Sequence, residues 1–162
     1  MKANFLKYLT ILLVLILSGS PANSQDKSKE VQKVQDDMKV LQGDWICIME
    51  EYEGQIFTKD QVKEMNKRMK VDKNSMIIKR VTREKLGTYV GKFELDPTTN
   101  PKNFDFIGKG PTGEYSEWKG IYELTENEFK VMYVKRGGVR PKEFKTVKNV
   151  DGTYIQFKRD KD

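Results

Sequence analysis

Histidine is absent from this 162-residue sequence, and cysteine occurs once, as Cys47. Without imidazole there is no histidine triad, no histidine metal ligand and no imidazole acid–base catalyst, the commonest enzyme solutions near neutral pH. A lone thiol excludes an internal disulfide, a cysteine-built zinc site and a CxxC redox pair. With most catalytic classes removed, the chain is read as a non-enzyme that uses no cofactor and no metal. A membrane-length apolar run is missing too, because Tyr8 to Leu17 falls short of the roughly 20 residues that a spanning helix needs. Charge is only mildly biased, with 30 basic against 24 acidic residues intermixed along the chain, so nucleic acid is not an expected partner.

What is present begins with an export signal. Lys2 and Lys7 precede the apolar run, and the small, polar Ser18-Gly-Ser-Pro-Ala-Asn-Ser24 follows it. A basic start, a short apolar core and small residues at Ala22 and Ser24 match what a signal peptidase cuts, which predicts residues 1–24 as a signal and a mature amino terminus at Gln25. The mature protein is then extracytoplasmic, periplasmic or secreted, with no stable membrane anchor. A composition of 37% hydrophobic and 33% charged residues suits one soluble domain.

Residues 25–40 read as an amphipathic lead-in helix. Val31, Val34, Met38 and Leu41 recur at helical spacing, with Ser28 as N-cap and Gly43 as the stop. From there to residue 162 the period changes to two. Trp45 to Met49 reads as a buried strand, and Thr58 with Gln61 forms a capping box that opens a second short helix carrying Val62, Met65 and Met69. Further strands are expected at Met69 to Val71, Ser75 to Val81, Thr88 to Leu95, Asn103 to Ile107, Tyr115 to Leu124, Glu128 to Lys135, Val139 to Val147 and Thr153 to Lys158. Eight or nine short antiparallel strands joined mostly by tight turns remove their exposed edges most simply by closing into an up-and-down β-barrel; an open sandwich is the alternative.

Gly43-Asp44-Trp45, just after a short helix and opening the first strand, resembles the Gly-x-Trp motif of lipocalins. The wider set Leu41-Gln-Gly-Asp-Trp45, Gly91-Lys-Phe-Glu-Leu-Asp-Pro-Thr98, Asn100-Pro-Lys102, Gly120-Ile-Tyr-Glu-Leu124 and Arg140-Pro-Lys-Glu-Phe144 resembles, in order and spacing, the lipocalin-like domain family of uncharacterised exported proteins found in planctomycete-type bacteria. The resemblance spans about residues 36–159. It implies a mainly β, lipocalin-like barrel with one or two short helices and carries over no catalytic residue. It also implies that an arginine of the last strand packs over the opening tryptophan; Arg159, on the alternation face of Ile155 and Phe157, is the candidate partner of Trp45.

Tyr89, Phe93, Trp118, Tyr122 and Tyr133 fall on the strand faces expected to turn inward, while Gly91 and Gly120 leave side-chain volume out of that interior. An eight-stranded barrel is just wide enough to be filled by side chains or to hold one small molecule. The five rings are therefore the expected binding site for a small, partly apolar ligand. The competing reading is an interaction module whose Lys135, Arg136, Arg140 and Lys142 meet an anionic surface partner. Glu50, Glu51, Glu53, Asp105, Glu114 and Glu117 read as solvated charges, Cys47 as a small core hydrophobe, and Asp72 to Ser75 as a calcium-loop fragment lacking the required glycine and distal glutamate.

Overall fold

The computed structural model describes residues 21–82 and 85–161. Its elements are α1 (Pro21–Leu41), β1 (Gly43–Tyr52), β2 (Gln55–Ile56), α2 (Lys59–Met65), β3 (Arg68–Asp72), β4 (Ser75–Thr82), β5 (Lys85–Asp96), β6 (Lys102–Lys109), β7 (Tyr115–Leu124), β8 (Glu128–Lys135) and β9 (Thr153–Arg159). Every strand pairs antiparallel with its successor in the order β1-β3-β4-β5-β6-β7-β8-β9, and β9 returns to β1. This is a closed eight-stranded up-and-down barrel, with β2 as a short strand outside it. Closure gives each barrel strand a partner on both sides, and the period-two pattern sends one face of each inward.

The signal reading falls mainly on residues 1–20, outside the described residues. Ser28 does not cap the lead-in helix but lies inside α1, because nothing in Pro21 to Lys27 breaks a helix once begun. Val31 is exposed, so the stripe that packs narrows to Val34, Met38 and Leu41. The capping box on α2 forms as read, with Thr58 N–H donating to Gln61 Oε1 at 2.8 Å and Gln61 N–H to Thr58 Oγ1 at 3.3 Å. Met69 leaves that helix and points inward from β3.

Residues 139–147 form no strand, which corrects the expectation at Val139 to Val147. Pro141 lacks an N–H, and Arg140 is held by other partners. Its guanidinium grips both carboxylate oxygens of Asp105 at 2.7 and 2.8 Å and donates to the carbonyls of Phe104 and Gly120. The segment instead runs as a strap over the outer wall. Gly138 and Gly152, on either side of the segment, come close to Val134 and Met132, which explains why those outward-facing residues are buried.

One barrel end is shut. Gly43, at φ +101°, turns the chain from α1 into β1, and a Cβ there would stand 3.4 Å from Arg159 Nη1. Trp45 is fully buried and donates its indole N–H to Leu41 O at 2.9 Å. Arg159 is its cross-strand neighbour; the guanidinium carbon lies 4.2 Å from the indole centroid. The same guanidinium donates to the carbonyls of Val40, Gln42 and Glu126, tying the end of α1 to the β7–β8 turn. Arg159→Ala is expected to lower stability by about 2 kcal/mol, where an ordinary surface change stays within about 0.5. An unchanged urea midpoint would show that the clasp contributes nothing.

Candidate functional site

The interior divides along the barrel axis. Toward the shut end Phe129 sits among Trp45, Phe104, Tyr122 and Phe157, with ring centroids 6.1 to 6.3 Å apart. Phe93 stacks on Phe104 in the same packed half. Tyr122 donates its hydroxyl to Asp37 Oδ2 of α1 at 2.6 Å, and Lys102 Nζ meets that carboxylate at 2.8 Å. Burial first, and then the neighbouring Asp37 carboxylate, push the Tyr122 phenol well above its ordinary range. Phe93 and Tyr122 are thus core and closure residues, a correction to their place in the expected ligand site.

Gly91 and Gly120 are corrected in the same way. A Cβ on Gly91 would lie 2.6 Å from the Phe106 ring and 2.3 Å from Ile107 O, and one on Gly120 would lie 2.5 Å from Met132 O. The two glycines let rings and neighbouring strands approach; they do not leave space.

The other half of the barrel is open. It holds a cavity of about 290 Å³ whose wall includes Tyr89, Trp118 and Tyr133, three of the five expected rings. Trp118 is sandwiched between Phe106, at 4.3 Å, and Tyr133, at 4.5 Å, with Tyr89 edge-on at 5.2 Å. Ile78 and Ile155 extend the apolar wall, and Phe57, just before α2, and Met65, its last residue, complete it. Among the described residues Trp118 Nε1 is the buried side-chain polar atom that lacks a hydrogen-bond partner. Burial, with the charge of Glu50 second, raises the Tyr133 phenol, which therefore stays a neutral hydroxyl at physiological pH.

Charged residues enter this apolar wall, and the sequence reading missed them. The β1–β9 register shifts between Cys47 and Met49, a bulge at Ile48 that advances the inward phase by one residue. Glu50, not Met49, consequently turns into the barrel opposite Ile155, buried and not solvated as expected. Its carboxylate is held by Lys67, from the α2–β3 connection, which is equally buried. Burial pulls the Lys67 amine below its ordinary value, and the Glu50 charge opposes that pull. Arg80 also lines the cavity, half-buried; it continues the inward alternation of Met76 and Ile78, so a signal for it was present.

Cys47 faces inward as expected. Burial pushes its thiol up to about 11, leaving it protonated and unreactive at neutral pH. The basic cluster does not assemble: Arg140 is bound to Asp105, Arg136 lies over the Tyr115 ring, and Lys135 lies over the Tyr52 ring with Asp151 at 3.9 Å. Comparison of the chain with protein-family models, with curated proteins and with solved structures finds no match.

Proposed function

We propose that this chain is an exported, lipocalin-like, non-catalytic protein that holds a small, partly apolar molecule in the open half of its barrel. The observation that carries the reading is the cavity itself, concave and walled by aromatic and aliphatic side chains with a few polar groups among them. Its volume of about 290 Å³ falls just below the range of small-molecule sites, about 300–1,000 Å³, so the occupant is smaller than a drug-sized compound. Rigid rings supply contact area at low rotamer cost. Docking on an anionic surface through Lys135, Arg136, Arg140 and Lys142 is the weaker reading, because Arg140 is already neutralised by Asp105.

Titration with phenylnaphthylamine, an uncharged dye that fluoresces in apolar surroundings, tests the reading. Saturable enhancement is expected. Tyr89→Ala should weaken binding several-fold while costing no more than about 1.5 kcal/mol, since Tyr89 is only half-buried. Absence of saturable enhancement with the folded wild type would reject the cavity as a binding site.

A further inference from the structure

The charges around the cavity do not balance. Lys67, Arg80 and Lys135 stand in its wall against one carboxylate, Glu50. Lys67 occupies that carboxylate, and Lys135 leans toward Asp151 at 3.9 Å. The Arg80 guanidinium makes no hydrogen bond and no ion pair with another side chain among the described residues. An arginine turned into a half-enclosed, ring-lined space without a counter-charge among the described residues is a position that a bound anion relieves. Elsewhere this protein meets its partly buried arginines with oxygen atoms: Arg140 has Asp105 and two carbonyls, and Arg159 has three carbonyls. Among the described residues Arg80 is the exception, and it is the arginine in the cavity.

We propose that the ligand is a small monocarboxylic acid whose carboxylate pairs with Arg80 and whose apolar body lies against Tyr89, Ile78 and Ile155. The inference rests on the cavity being the binding site and adds the chemical class. One guanidinium without an ion pair among the described residues matches one negative charge; a dianion would leave its second charge desolvated beside Glu50. The planar fork of arginine fits a carboxylate with two parallel hydrogen bonds, a geometry that a neutral ester cannot reproduce. The Lys67–Glu50 pair does not compete, because each already neutralises the other.

The test is displacement of bound phenylnaphthylamine by naphthoate and by its methyl ester, which share one apolar body and differ in charge. In the wild type the acid should displace the dye at a concentration at least about tenfold lower than the ester. That preference should shrink as salt rises from low to high concentration and should fall to near one in Arg80→Gln. The salt series needs only the wild type, so the test survives if the variant folds poorly. Equal displacement by acid and ester, or a preference indifferent to salt and to Arg80, would overturn the carboxylate inference and leave the cavity reading standing. Failure of the dye itself to bind would overturn both.

Discussion

Replacing Lys67 by methionine while Glu50 remains should destabilise the protein by about 3–5 kcal/mol, one of the two largest effects expected of a single change in this chain. The reason is desolvation. Lys67 and Glu50 are 4% and 3% exposed, and removing the amine leaves a carboxylate in the barrel with its counter-charge gone. Replacing both, as Glu50→Leu with Lys67→Met, should be close to neutral, because the cost of burying two charges disappears together with their attraction.

The reverse variant, Glu50→Gln, has a pH signature. It leaves an amine that burial already holds below its ordinary value. Between that lowered value and the lysine value of the unfolded chain, the unfolded state binds the proton and the folded state does not. Stability of Glu50→Gln should therefore rise with pH across that window, and it should be least below it, where the charged amine must be buried. Urea unfolding of the single and double variants over a pH series measures all of this. A Lys67→Met protein as stable as the wild type would mean that the pair is solvated.

The second large effect is at Phe129. This ring touches Trp45, Phe104, Tyr122 and Phe157, and so joins β1, β6, β7, β8 and β9 across the packed half. Phe129→Ala removes the centre of that cluster, and the surrounding barrel wall, fixed by hydrogen bonds on both sides of each strand, cannot collapse to refill it. A loss of about 3–5 kcal/mol is expected. The comparison with Tyr89→Ala is informative because both remove a ring from the same barrel. A large cost at Phe129 and a small one at Tyr89 marks one half as solid and the other as hollow. Similar, small costs at both would mean that the whole interior is loosely filled.

Much of the architecture was legible in the residue order. The alternation of Phe129, Val131 and Tyr133, and of Trp118, Gly120 and Tyr122, named the inward faces of β7 and β8 correctly. The chain's run of short strands and tight turns led to a closed barrel, and the Trp45–Arg159 contact followed from the resemblance together with the face shared by Ile155, Phe157 and Arg159. These are local properties, because successive side chains of an extended chain point to opposite sides whatever lies around them.

Depth along the barrel axis is not local. Phe93 and Tyr89 share a face of β5, yet one is sealed under Phe104 and the other borders the cavity, and only the register of neighbouring strands separates them. The bulge at Ile48 likewise arises from how β1 meets β9; it reversed the phase of β1 from Met49 onward and put Glu50 inside. The strap at residues 139–147 has a strand-like composition, but Arg140 found Asp105 and two carbonyls on the outer wall and held the segment there. Alternation along the chain thus determined which residues face inward, except where the bulge at Ile48 reset it. Pairing between strands decided which of them meet a packed core, a cavity or a charge, because register couples residues that no sequence window contains together.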